Sequence, residues 1–374
     1  MIYFDNAATG GFKPRAVSDT AYTVIRYLSA NPGRSGHRLS ITGASTVYDC
    51  RRALAQTFNG VTEKTIFTKN CTEALNLAIL GTAKKGGKVI TTVFEHNSVL
   101  RPLYHLQRQG IISLSVVAPN QNGQLLEQIQ KAYTKDVYAV VVTATSNVTG
   151  QNLPLREIGN FCKDNDLLFI VDGAQGGGHI TLDMQKLNIN ALALAGHKGL
   201  MGIMGTGVLM LDQKTDVSPL IFGGTGTESK LTFQPDCYPE KLESGTLNLP
   251  AIAALNEGIR AVSENYPSFS KHLINYTKTL IEGLNKIDRI KVFSSPNPCG
   301  IVSFEVSDIP SNEFADILNK DYDIAVRGGL HCAPLMHAYL GTQENGLVRA
   351  SLAVQNTQNE IGYFINSVSR IVNG

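Results

Sequence analysis

The chain has 374 residues, 43% of them hydrophobic, and a formal net charge of +2, which is enough apolar material for two ordinary domains. Near-balanced charge without a basic tract excludes nucleic acid and anionic membrane surfaces as expected partners and leaves a small molecule. No leader-like stretch precedes MIYFDNAATG and no apolar run nears the roughly 18 residues of a membrane span, so the expectation is a cytoplasmic protein.

Taken in chain order, the first dozen residues are too few for a domain and must pack on something later. NCTEALNLAILGTA reads as a helix. KVITTVF, DVYAVVVTAT, LLFIVDGA and GVLMLD are short, largely apolar runs, and LREIGNFCKDND between the second and third reads as a helix ending in a polar cluster. Runs apolar on both faces suit a parallel sheet covered by helices, an α/β layered domain. From about Ala261 the pattern changes to a long helical stretch, SFSKHLINYTKTLIEGLNKI. A strand pair, IKVFSS and GIVSFEV, follows, then the helix SNEFADILNK and a last helix from about Thr357, an α+β unit. There is no internal repeat. Six scattered cysteines (Cys50, Cys71, Cys162, Cys237, Cys299, Cys332) form no CxxC pair, which argues against structural disulfides and against a metal site.

Several residues stand where chemistry is done. Asp172 ends a buried apolar run, the place where open α/β sheets bind ligands, although a turn or cap role would put an aspartate there too. One crossover later ALALAGHKGLMG sets Lys198 after another strand, between small residues that leave room for a planar ligand. A lysine for a Schiff base and an aspartate to pair with a pyridinium nitrogen make sense together for pyridoxal 5'-phosphate (PLP). Cys71 and Thr72 open a helix whose amides and dipole favour a phosphate, with Thr72 as a plain N-cap the competing reading. His96 follows a strand and is placed to stack on a ring, or is simply structural. Asn147 and Gln175, after strands, are candidates to hydrogen-bond the ring's phenolic oxygen. In RGGLHCAPLMH, Gly328 and Gly329 describe a loop and Pro334 keeps a helix from including Cys332, so the thiol is expected to be exposed, with histidine and arginine nearby to favour thiolate.

Taken together, YFDNAAT, FTKNCTEALN, EHNSVLRPL, SNVTG, VDGAQ, GHKG, ESGTLNLP, RGGLHCAPLM and VRASLAVQNT resemble, in order, the motifs of cysteine desulfurases, fold type I PLP enzymes of the class V aminotransferase superfamily. The resemblance implies a mostly parallel sheet of the seven-stranded type in a large domain, residues 14–260. A smaller α+β domain would be built from residues 1–13 and 261–374. It implies Lys198 as the Schiff-base lysine, Asp172 as the pyridinium partner, His96 as stacking residue and proton handler, and Asn147 and Gln175 along the ring. It gives Thr72 and His197 as phosphate ligands, and Thr246 as a threonine reaching the phosphate of a neighbouring subunit, hence a homodimer. Arg349 would grip the carboxylate of L-cysteine, with Asn147 beside it, and Cys332, on a compact loop, would carry the persulfide to an acceptor protein or thiol. Ala195 departs from the pattern, since the family commonly has a hydroxyl residue there; one phosphate hydrogen bond would be missing. Three alternatives stay open: a lyase acting on L-selenocysteine, an aminotransferase or lyase of another β-substituted amino acid, and a PLP-binding scaffold without turnover.

Overall fold

The computed structural model describes residues 1–374 except the side chain of Tyr266. In chain order the elements are β1 (Ile2–Tyr3), α1 (Arg15–Tyr27), α2 (Arg38–Phe58), β2 (Thr65–Thr68), α3 (Cys71–Gly81), β3 (Gly87–Thr92), α4 (Asn97–Arg108), β4 (Ile112–Val117), α5 (Leu125–Ala132), β5 (Val137–Thr143) and α6 (Leu155–Asp164). They continue with β6 (Leu168–Asp172), β7 (Ala191–Ala195), β8 (Gly207–Leu211), α7 (Leu249–Leu284), β9 (Ile290–Val292), β10 (Ile301–Val306), α8 (Ser311–Tyr322), β11 (Ile324–Ala325), α9 (Pro334–Leu340), β12 (Val348–Ser351) and α10 (Gln358–Asn373).

Seven strands form one sheet in the order β2-β8-β7-β6-β5-β3-β4, parallel from β7 to β4, with β8 antiparallel to both its neighbours. The apolar runs are continuous because both faces are covered. Val140, Val142, Phe169, Val171, Leu192 and Leu194 enter one core, while Ala139, Val141, Ile170, Ala191 and Ala193 enter another on the opposite face, following the two-residue period of a strand. Parallel strands all end on one edge, so Thr143, Asp172 and Ala195, the last residues of β5, β6 and β7, arrive there together.

A second sheet, β12-β10-β9, is antiparallel and packs through Val302, Phe304, Val348 and Ala350 into a third core with α7, α8 and α10. The N-terminal segment joins it: β1 pairs with β11, Phe4 is fully buried in that core, and Asp5 bridges to Ser351. The expected start of the long helix is corrected. α7 begins at Leu249, capped by the Asn248 side chain on the Ala251 amide, because Ile252, Ala253, Leu255 and Ile259 already form an apolar face that packs on the first core. Position 260 therefore lies inside a helix whose second half, from Leu273, packs on the third core instead. Among the described residues no helix is long and apolar enough to cross a membrane.

Candidate active site

At the common edge of β5, β6 and β7 lies a cavity of about 100 Å³ lined by Cys71, Thr72, His96, Ser98, Asn147, Asp172, Gln175, Ala195, His197 and Lys198, among others. Eight sequence-predicted site residues thus meet in one place, along with the departure at Ala195. Asp172 is buried and its Oδ1 accepts the Ala174 amide at 2.9 Å, so the turn role expected of an aspartate here is present alongside any other. Burial raises the Asp172 pKa, opposed by the Ala174 amide and the Lys198 charge. Burial likewise lowers that of Lys198, helped by the Arg349 charge and opposed by Asp172.

The glycines around Lys198 have a different job from the one expected. A Cβ on Gly196 would collide with Thr206, and one on Gly199 with the Gly177 carbonyl and the His179 ring, so backbone packing requires them rather than room for a ligand. The N-cap reading of Thr72 is also corrected. Asn70 caps α3, its side chain accepting the Glu73 amide at 2.9 Å, while Cys71 and Thr72 are the first two helical residues and line the cavity. The Thr72 hydroxyl lies 2.7 Å from Ser98 Oγ, which is 3.0 Å from His96 Nδ1. His96 Nδ1 also accepts the Ser98 amide at 3.0 Å, which puts the proton of the neutral ring on Nε2. Burial and the charges of Lys198, Arg327, Arg349 and Arg101 lower the His96 pKa to about 4, so the ring is neutral at pH 7.

Cys332 and Arg349 stand outside the cavity lining but are bound to it. The Cys332 carbonyl accepts the Asn97 amide at 2.7 Å, one residue from His96. The Asn147 side-chain amide donates to the His331 carbonyl at 2.7 Å. The Cys332 thiol is exposed, as expected, and α9 starts two residues later at Pro334. His331 and Cys332 both take left-handed backbone angles, φ 49° and 57°, a conformation that costs non-glycine residues of order 1 kcal/mol each. Arg327 Nη2 lies 3.8 Å from the sulfur. The expected help from histidine is corrected, because His331 is 2% exposed with its Nε2 3.2 Å from the Arg327 carbonyl, and burial and the Arg349 charge hold its pKa well below the usual value. Arginine alone supplies the positive charge near the thiol.

Arg349 is 1% exposed, its Nη2 2.9 Å from Asp5 Oδ1 and its Nη1 donating to the Asn147 carbonyl at 3.0 Å. Thr246 is exposed and lies away from the cavity, with Asn31 Nδ2 3.4 Å from its hydroxyl.

Over residues 2–364 the chain matches the family described as Aminotransferase class-V. A probable cysteine desulfurase from Pyrococcus abyssi is 33% identical, over 100% of this chain and 94% of the relative. Another from Methanothermobacter thermautotrophicus is 31% identical over 96% and 92%. The apo structure of a cysteine desulfurase from Thermococcus onnurineus NA1 superposes with a TM-score of 0.93 at 32% identity, over 100% of this chain and 95% of that one. The chain belongs to the cysteine desulfurase family of class V aminotransferases.

Two residues of this family member escape a reading of motifs alone: Asp5 and Ser98. Asp5 stands in the quoted YFDNAAT and Ser98 in EHNSVLRPL, but nothing local announces that one meets a guanidinium 344 residues away or that the other lies 2.7 Å from the Thr72 hydroxyl. Removing one partner of a buried pair leaves the other charge uncompensated. Asp5→Ala should therefore lower stability by about 2–3 kcal/mol, read as a lower urea midpoint at unchanged slope; an unmoved midpoint would contradict the pairing.

Histidines in and around the site, buried or half-buried, also set a pH dependence. His96, His179 and His197 have pKa values lowered to about 4, burial being the first cause in each, and those of His331 and His337 are lowered too. Below pH 6.5 the unfolded chain binds protons on these five that the folded chain refuses. Glu95, raised to about 8 by burial, and Asp172, also raised, act in the opposite sense, two protons against five. Stability of the cofactor-free protein should fall between pH 7 and pH 5 by about 2 kcal/mol or more. Denaturation midpoints at the two pH values check this, and a midpoint that holds or rises at pH 5 would refute it.

Proposed function

We propose that the protein is a PLP-dependent cysteine desulfurase that converts L-cysteine to L-alanine and leaves the sulfur as a persulfide on Cys332. The observation that carries the proposal is the docking of the cysteine loop. Its carbonyl is pinned on the Asn97 amide beside His96 while its thiol stays exposed next to the cavity that holds Lys198 and Asp172.

The residues present fit PLP. Asn147 Oδ1 is buried without a hydrogen-bond partner on a side chain that lines the cavity, a cost that a bound donor would remove. The first turn of α3, together with Thr72 and His197, suits a phosphate. Lys198 would hold the aldehyde carbon, Asp172 the ring nitrogen, His96 the ring face, and Asn147 and Gln175 the phenolic side. When bound, PLP supplies an electron sink that makes the Cα proton of the amino acid acidic and weakens its Cβ–S bond.

The chain's own residues do the rest. Lys198, whose pKa is lowered by burial and the Arg349 charge, takes and returns the Cα proton as a free amine. His96, neutral with its proton on Nε2, assists proton transfer. Arg349 binds the substrate carboxylate with Asn147 beside it, sharing its guanidinium with Asp5. The Cys332 sulfur, 3.8 Å from Arg327 Nη2, forms the new S–S bond to the substrate sulfur as the Cβ–S bond breaks, its own proton is released, and the alanine carbon takes a proton. A thiol or acceptor protein must then remove the outer sulfur. We further propose that residues 14–260 and residues 1–13 with 261–374 work as two domains and that the enzyme acts in the cytoplasm. It would be a homodimer in which the exposed Thr246 reaches the neighbouring phosphate; a fully active monomer in sedimentation would contradict the last point.

Cys332→Ala should retain PLP but lose alanine release from L-cysteine by at least about a hundredfold, assayed by alanine stoichiometry. Undiminished release would reject the desulfurase reading. Parallel assays with L-selenocysteine separate the lyase alternative, since selenium is the better leaving group and departs without the thiol.

A further inference from the structure

Cys71 has a hydrogen bond that the mechanism above does not use. Its thiol, on a residue 8% exposed, lies 3.6 Å from Asp172 Oδ1, and both residues line the cavity. Burial, followed by the Asp172 charge, raises the thiol pKa well above its ordinary value, so the sulfur keeps its proton at neutral pH and acts as a weak donor. The same Oδ1 accepts the Ala174 amide at 2.9 Å, while among the described residues no donor engages Oδ2. The carboxylate is thus divided, one oxygen held by two donors and the other left for whatever fills the cavity. The unpartnered, buried Asn147 Oδ1 on the same cavity is a separate sign that it is built for a polar ligand.

We propose that Cys71 tunes Asp172: by donating its S–H to Oδ1 it draws charge from the carboxylate and makes Oδ2 a weaker base toward the ring nitrogen of bound PLP. The inference rests on the PLP reading above. Cys71 is a positioning residue, acting only through Asp172. The other charged and titratable groups coupled to Asp172 are Lys198 and Glu95, and substitution at position 71 leaves both in place. Hydrogen bonds to the charged form of a carboxylate lower its basicity, so removing this one raises it and strengthens the attraction for a pyridinium.

The experiment uses the full-length cofactor-free protein and two ligands, PLP and its analogue with the ring nitrogen replaced by CH. The readout is the ratio of their dissociation constants, measured by absorbance titration. Wild type should prefer PLP. In Cys71→Ala the preference should widen by about threefold, the size expected of one weak hydrogen bond, because only PLP senses the stronger base. Cys71→Ser, which restores a donor on a side chain of similar size, should return the ratio to the wild-type value or below. Equal changes for both ligands in Cys71→Ala would mean that the thiol only packs, and would overturn the inference. If the alanine variant does not fold, a widened ratio in Cys71→Ser overturns it as well. A wild-type protein that does not distinguish the two ligands would instead remove Asp172 as the nitrogen partner, a failure of the underlying reading that is visible before any variant is made.

Discussion

The guanidinium of Arg349 fixes where the site is. It leads the fully buried side chains in size and joins three distant segments, the N-terminal Asp5, the Asn147 loop after β5 and its own strand β12. Desolvating such a charge costs several kcal/mol, offset by the Asn147 carbonyl on Nη1 and the Asp5 carboxylate on Nη2, while Nε has no partner among the described residues. The antiparallel sheet must therefore sit against the edge of the seven-stranded sheet with Asp5 between them. Arg327, paired through its backbone with Arg349, then brings the cysteine loop along. The loop is held by main-chain contacts at Asn97 and by the Asn147 side chain, so the thiol itself needs no partner to be positioned.

The electrostatics around the cavity have a consistent sense. Positive charge is carried by Arg327 and Arg349, while His96, His197 and His331 are held neutral by burial and by neighbouring cations. Glu95, fully buried with its Oε1 2.5 Å from the Thr92 hydroxyl, is raised to about 8 by burial, which favours its neutral form at pH 7. Asp172 faces this field from β6. A site so biased favours anionic groups, which is what a phosphate and an amino-acid carboxylate are.

What was legible in the sequence was what depends on local pattern. Strands β3, β5, β6 and β8 were apolar runs because both sheet faces are buried, and Asp172 and Lys198 could be paired because both follow adjacent parallel strands. The start of α7 is hard to read because its first turns are apolar for packing on one core and its later turns for packing on another, and Pro267, where the change falls, lies inside the helix rather than at its start. Long-range partners left no local trace: the Asp5–Arg349 pair spans 344 residues and the Asn147–His331 bond spans 184. His331 misled for a related reason. Its place beside the cysteine suggests a group that favours thiolate, but the left-handed backbone at His331 accompanies a ring buried beside His337, while the neighbouring thiol is exposed.

On the proposed function the cavity and the loop act as one catalytic unit, with sulfur passing to Cys332. Single-turnover mass spectrometry with sulfur-labelled L-cysteine tests it most directly. The label should appear as one added sulfur on the peptide containing Cys332, in step with alanine formation and removable by a thiol reductant. Alanine formed with no label on that peptide, or with the label on another cysteine such as the exposed Cys237, would contradict it.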